Sequence, residues 1–188
     1  MSELPNQPIY DLYAPVYDWI FDRIFRRARR RAIDLLDMHA GERLFIPGIG
    51  TGLDLLYLPD TISVTGLELN AAMLAKAQAK NTTFAHLELL QGDALNLPLE
   101  NASYDALLFN LVLSVFPDGA AAFTESWRVL RPGGRAVIFD KFLPDDTDLN
   151  RARQFVGRIV RLMGTDPNRR VSDIIGEVSD AVIRSAEP

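Results

Sequence analysis

Three alternating glycines, Gly48, Gly50 and Gly52, close the apolar run Arg43-Leu-Phe-Ile-Pro-Gly-Ile-Gly-Thr-Gly52. A second run, Val64-Thr-Gly-Leu-Glu68, closes on an acid. Such residues at successive strand ends can seat a nucleoside. Glycines let a ligand approach the backbone closely, and a carboxylate accepts from ribose hydroxyls. Asp93 and Asn110 follow two further apolar runs and would reach the same crevice. Each residue alone has an ordinary explanation: a tight turn for the glycines, a solvated strand end for Glu68, a turn or helix cap for Asp93. Their ordered combination is the specific signal. The spacing also narrows the ligand. A dinucleotide fingerprint requires G-x-G-x-x-G, but Leu53 follows Gly52, so the third glycine falls one position early.

Composition removes several other chemistries. The chain has no cysteine, which excludes disulfides, thiolate nucleophiles and cysteine metal sites. His39 and His86 are the only histidines, so no metal centre is expected. A net charge of −5 argues against nucleic-acid binding. With 188 residues, 48% hydrophobic and 24% charged, the chain fits one globular domain. No run is long and apolar enough to span a bilayer and the N-terminus lacks a signal-peptide pattern, so a cytoplasmic location is expected. Arg23, Arg26, Arg27, Arg29, Arg30 and Arg31 crowd one stretch. On a helix Arg23, Arg27, Arg30 and Arg31 lie broadly together, and two readings of that face stay open: a solvated face balancing an acidic body, or a peripheral docking surface for anionic head groups.

The elements that must position these residues follow from periodicity and punctuation. Residues 9–38 read as helical, interrupted near Pro15, with Ile20, Ile24, Ala28, Leu35 and Met38 as the buried stripe and Gly41 as the stop. Strands are expected at 44–47, 62–67, 87–91, 104–109 and 135–139. A brief helix is expected at 52–58, a helix capped by Asn70 running to about Asn81, and a helix at 119–130. Residues 92–103 read as a polar connection and Arg131-Pro-Gly-Gly134 as a turn. A long amphipathic helix is expected at 148–163, helix again from Val171, and a short strand at 182–185. Strands alternating with helices imply right-handed crossovers, a mostly parallel sheet with helices on both faces, and ligands at the carboxyl ends of the strands.

With these motifs in place, the chain resembles the S-adenosylmethionine-dependent methyltransferases of the Rossmann-like type. Leu44-Phe-Ile-Pro-Gly-Ile-Gly-Thr-Gly52 matches their glycine-rich first motif, Thr65-Gly-Leu-Glu-Leu-Asn70 the second and Gln91-Gly-Asp-Ala94 the third. Leu97-Pro98 through Tyr104-Asp105 resembles the segment before the fourth motif, and Leu130-Arg-Pro-Gly-Gly-Arg135 the turn before the fifth strand. The resemblance covers roughly Tyr10 to Phe142. It implies a sheet of order 3-2-1-4-5 with S-adenosylmethionine as cofactor. It also implies that Glu68, with Leu69, takes the ribose, that Asp93 takes the adenine amino group, and that the Ala94 amide meets the ring. Tyr10-Asp-Leu-Tyr-Ala-Pro-Val-Tyr-Asp18 is similar to an N-terminal lid element of the lipid- and quinone-directed branch, which brings Tyr17 over the cofactor. Ordinary aromatic packing of Tyr13 and Tyr17 stands beside that reading. The layout looks most like bacterial phosphatidylethanolamine N-methyltransferases.

The implied organisation is one domain over 1–188, with a helical lid at 1–40, a cofactor-binding core at 41–142 and C-terminal helices at 143–188. The implied activity is methyl transfer to a phospholipid amine. Methylation of a soluble small molecule or quinone precursor, and cofactor binding without catalysis, are the alternatives. No residue is compelling as a base; Asp140 and Asn110 are the candidates near the reacting centre, and Asp140-Lys141 reads equally as a surface ion pair. Two departures from the family stand out. Ile46, followed by Pro47, occupies the place where the family carries an acid that helps hold the methionyl end, which implies weaker binding, a substitute acid such as Asp18 or Asp140, or a non-catalytic relative. The family's seventh strand has no counterpart before Pro188, which predicts a truncated chain or a sheet edge covered another way.

Overall fold

The computed structural model describes residues 25–80, 83–84, 86–142, 169–176 and 178–186. Helix α1 covers 25–35. It is followed by β1 (Arg43–Pro47), a 3-10 turn (Leu53–Leu56), β2 (Ser63–Glu68), α2 (Ala71–Gln78) and β3 (His86–Gln91). Then come β4 (Tyr104–Asn110), α3 (Gly119–Val129), β5 (Leu130–Phe139) and α4 (Val171–Ile175). The lid motif with Tyr13, Tyr17 and Asp18, and the helix expected at 148–163, lie outside the described residues.

The five strands form one parallel sheet in the order β3-β2-β1-β4-β5. Alternation along the strands divides the core in two. Leu44 and Ile46 of β1 and Ala106 and Leu108 of β4 pack with Ile33, Leu36, Leu55 and Leu58 on one face. Phe45, Leu107 and Phe109 pack with Ala122, Phe123 and Val129 of α3 on the other. All seven residues of β4 are buried, as a central strand covered on both faces requires. On the α3 face the rings of Phe109, Phe123 and Trp127 follow one another at 5.4 and 5.5 Å. Burying each phenylalanine ring contributes about 2–3 kcal/mol.

Local chemistry sets the helix boundaries. Asn70 caps α2 as expected: its Oδ1 accepts from the amides of Ala72 at 2.8 Å and Met73 at 3.0 Å. Asp118 caps α3 by accepting from the Ala121 amide at 3.0 Å. The polar connection between β3 and β4 is held by Arg128 of α3. Its guanidinium donates to the carbonyls of Leu97 and Leu99 at 3.2 and 2.9 Å, and Glu125 accepts from the Leu97 amide at 3.0 Å.

Three expectations are corrected. The buried residues along α1 and its end are Arg29, Ala32, Ile33 and Leu36, whereas Leu35 is 38% exposed; Ala28 and Met38 are half-buried, as expected of the stripe, and Ile20 and Ile24 lie outside the described residues. The helix is rotated because Arg29 finds a buried carboxylate partner. The Arg131–Gly134 turn is absorbed into β5 as a bulge: Tyr104 faces Leu130, but Ala106 already faces Arg135. Pro132 cannot donate to a ladder, and Gly133, at φ 78°, takes the left-handed conformation that the bulge needs. Residues 182–185 are not a strand. Val182 and Ile183 are 80% and 61% exposed, and β-branched side chains do not make a strand without a neighbouring strand to pair with.

Helix α1 runs back along β5. Phe25 meets Phe139 edge-on at 6.0 Å, while Arg135 at the other end donates to the carbonyls of Leu36 and Asp37. Arg135 also forks onto both oxygens of Glu42, at 3.0 and 2.6 Å. That hydrogen-bonded guanidinium holds the Glu42 carboxyl down at about 2. A depressed carboxyl stabilises the fold above its ordinary value of 4.5, and that contribution disappears as the pH falls toward 2. Glu42→Gln is therefore expected to cost about 1–2 kcal/mol at neutral pH. In thermal melts, the difference from wild type should close progressively between pH 4.5 and 2.

Candidate functional site

β1 pairs with β2 on one side and β4 on the other, so the chain's direction of travel reverses beside it. The crevice at the carboxyl ends of these strands is where such sheets take ligands. Gly48, Gly50 and Gly52 line it, all with left-handed φ, at 67°, 59° and 75°. Their surroundings differ. A Cβ on Gly48 would lie 2.3 Å from Val112 Cγ2, and one on Gly52 would lie 2.9 Å from the Ala77 Cβ. Those two positions serve close packing against the loop after β4 and against α2. A Cβ on Gly50 would meet nothing within 4 Å. Gly50 alone of the three combines a backbone that only glycine adopts readily with open space before it.

Glu68 at the end of β2 faces the same loop. Its Oε2 accepts from the Gly50 amide at 2.9 Å and its Oε1 from the Asn70 amide at 2.9 Å. Burial pushes this carboxyl above the ordinary glutamate value, and the amides of Asn70, Gly50 and Leu69 only partly offset that. The carboxylate keeps acceptor capacity for a hydroxyl donor beyond these amides. The Glu68 carbonyl accepts from the Gly92 amide at 3.1 Å, and the Leu69 carbonyl accepts from Gln91 Nε2 at 3.3 Å. These bonds tie the β3 exit to the β2 exit. Asp93 is exposed there, with Oδ1 on the Leu95 amide at 3.0 Å, and Ala94 is buried beneath it. Leu69 is 44% exposed on the same rim. Gly50, Glu68, Leu69, Asp93 and Ala94 are thus brought together from three strand ends.

Asn110 ends β4 almost fully buried, at 9% exposure. Its Nδ2 donates to Asp54 Oδ1 at 2.6 Å, and Arg29 Nη1 donates to the same oxygen. Arg29 Nε and Asn110 Oδ1 are left buried without a partner. Leu111 then takes a left-handed φ of 56°, with its amide on the Phe139 carbonyl at 2.6 Å. Strain of this kind, about 1–2 kcal/mol for a branched side chain, concentrates at functional loops.

Asp140 lies just past β5. Its Oδ1 accepts from the Ser114 hydroxyl at 2.6 Å and the Lys141 amide at 2.7 Å, and its Oδ2 from the Ser114 amide at 2.9 Å. This carboxylate clasps the loop after β4 to the loop after β5. The Lys141 ammonium sits 5.3 Å over the Phe25 ring. Tyr17 lies outside the described residues. Among the described residues, no group of three or more acidic or histidine side chains could hold a metal ion.

Sequence reasoning did not find Arg29, Asp54 or Ser114. A signal existed for Arg29: it stands at i−3, i−4 and i−7 from Ala32, Ile33 and Leu36, the interior side of α1. No local pattern distinguishes Asp54 from a solvated acid.

The open space at Gly50, the strand-end carboxylate and the unpartnered acceptor on Asn110 fit a nucleoside ligand with a cationic end. Comparison with known proteins supplies its identity. A family model described as a methyltransferase domain matches residues 46–138. The phosphatidylethanolamine N-methyltransferase of Cereibacter sphaeroides is 30% identical over 152 residues, 79% of this chain and 74% of that protein. A demethylmenaquinone methyltransferase of Beutenbergia cavernae is 32% identical over 136 residues; the match takes in 72% of this chain but only 54% of that protein. The YcgJ protein of Bacillus subtilis shares the fold, with a TM-score of 0.68 at 23% identity, over 79% of this chain and 64% of that one. The ordered strand ends, the family match and these relatives agree: the chain belongs to the Rossmann-like S-adenosylmethionine-dependent methyltransferases, and S-adenosylmethionine is its methyl donor.

Proposed function

We propose that the methyl acceptor is the amine of a phospholipid head group of the phosphatidylethanolamine type. The observation that carries this reading is the match to the Cereibacter sphaeroides phosphatidylethanolamine N-methyltransferase, 30% identical over 79% of this chain. The charge pattern supports it. Arg26, Arg27, Arg30 and Arg31 are exposed on α1, and Phe25 of that helix lies beside Phe139 and Lys141 at the ligand-binding edge of the sheet. Each cation near an anionic leaflet contributes about 1 kcal/mol of attraction. No helix among the described residues is long and apolar enough to cross a membrane.

When bound, S-adenosylmethionine supplies an electrophilic methyl group on a sulfonium that leaves as a neutral thioether. The chain's contribution is then binding, alignment and exclusion of water, with no need for an acid at the leaving group. Gly50, Glu68 and Asp93 hold the nucleoside, and Ala94 packs under the base. Asn110 offers its carbonyl oxygen to the cationic end. Asp140, its oxygens taken by Ser114 and the Lys141 amide, fixes the wall between the two acceptor-side loops. The head-group proton passes to solvent before attack.

The Beutenbergia cavernae relative favours a second reading, a quinone precursor as acceptor. Incubation with S-adenosylmethionine labelled in the methyl group and a bacterial lipid extract distinguishes them. Label in the phospholipid amine fraction is the expected result. Label in the quinone fraction overturns it, and bound cofactor with no transfer identifies a binding protein. In vesicle flotation, anionic vesicles should retain the protein at least tenfold better than neutral ones, and Arg27→Glu with Arg30→Glu should remove the difference. Equal partition of wild type onto both would end the membrane-docking idea.

A further inference from the structure

We propose that Asp54, from the 3-10 turn, does the work of the carboxylate absent at position 46. It does so by fixing Asn110 as an acceptor for the cationic methionyl end of the methyl donor. The inference rests on the family assignment and concerns residues that the family motifs do not include.

The face of the sheet comes first. Ile46 and Leu108 point to the α1 side, in one cluster with Ile33, Leu36 and Leu55. Asn110, two residues beyond Leu108, points the same way by strand alternation, and its bond to Asp54 agrees. An acid at position 46 would therefore have entered the space that Asp54 enters from the following turn. Asp54 is 3% exposed, so its charge needs a partner, and Arg29 of α1 provides one.

Hydrogen-bond polarity comes second. An ionised carboxylate only accepts, so the amide nitrogen of Asn110 must face Asp54 and the amide oxygen must face away. That oxygen is buried without a donor. Natural proteins rarely leave a buried acceptor so, and a ligand ammonium would satisfy it. The Arg29–Asp54 pair is neutral as a unit, so the group presented to the ligand is an oriented dipole rather than a bare charge. Arg29 and Asp54 are positioning residues acting through Asn110. They also bolt α1 to the glycine loop, linking the N-terminal helix to the cofactor site.

Calorimetry with two ligands tests this: S-adenosylmethionine, and 5′-methylthioadenosine, which keeps the nucleoside and sulfur but lacks the amino-acid end. In the Asp54→Asn variant, the new amide can donate to Asn110 and fill its free acceptor. The expected result is at least a tenfold loss of affinity for S-adenosylmethionine with methylthioadenosine binding within twofold of wild type. Because Asp54→Asn strands Arg29, the double variant Arg29→Met, Asp54→Asn removes the buried charge as a pair, and Asn110→Ala leaves the pair intact. Both should show the same selective loss. Parallel loss of both ligands, or loss of neither, in those two variants overturns the proposal. Wild type that binds neither ligand would overturn the family reading instead.

Discussion

Gly50→Val should abolish measurable S-adenosylmethionine binding, a loss of at least a hundredfold, while the protein stays folded. Two contributions act at this position. A side chain at φ 59° is strained, by about 1–2 kcal/mol and more for a β-branched residue. It also projects into the open space before the loop. Gly133→Val separates them. Gly133 has φ 78° and likewise nothing within 4 Å of a Cβ, but it lies in the β5 bulge, away from the crevice. Both variants should melt several degrees early, and only Gly50→Val should lose the ligand in calorimetry. Normal binding by Gly50→Val would remove the glycine loop from the site.

The second large effect is at Glu68. Glu68→Ala removes the acceptor for the ribose and should weaken S-adenosylmethionine about a hundredfold, near 2.7 kcal/mol. Stability should change far less. The substitution frees the Gly50 and Asn70 amides but also relieves a buried charge, and these oppose each other. The pH dependence has a defined sign. The folded-state value is raised by burial, so ionised Glu68 costs stability at neutral pH, and that cost fades as pH falls through the raised value. Ribose hydroxyls donate more strongly to the ionised form, and protonation turns one of its acceptor sites into a donor. Wild-type affinity should therefore begin to fall at a pH above the ordinary 4.5, whereas Glu68→Gln should bind weakly with a flat profile there. A wild-type affinity unchanged through that range would exclude Glu68 as the ribose acceptor.

These predictions use residues whose place was legible beforehand. Glycines, Glu68, Asp93 and Asn110 each follow an apolar run, and parallel crossovers put every strand's carboxyl end on the same edge. The Asn70 cap was legible too, because capping depends on residues two and three positions away. Other features were not. Arg29 is legible only as one member of an arginine-rich stretch, because the acid that buries it lies 25 residues away. The Pro-Gly-Gly segment read as a turn because nothing nearby showed that β4 would run alongside it. Residues 182–185 read as a strand from β-propensity, which needs a pairing partner to be realised.

By itself, the sequence determined the order of the five strands with the helices between them, the two faces of the sheet and the glycine loop at the end of the first strand, because all three follow from short-range periodicity and from glycine's backbone freedom. Only the tertiary structure decided which glycine stands open, which way the Asn110 amide faces and which acid lies beneath it. The first follows from what packs against the neighbouring glycines, Val112 and Ala77, and the other two from contacts across the fold, Arg29 with Asp54 at a separation of 25 residues and Asp54 with Asn110 at 56. A buried ion exists only where its partner arrives, and no local pattern records that arrival.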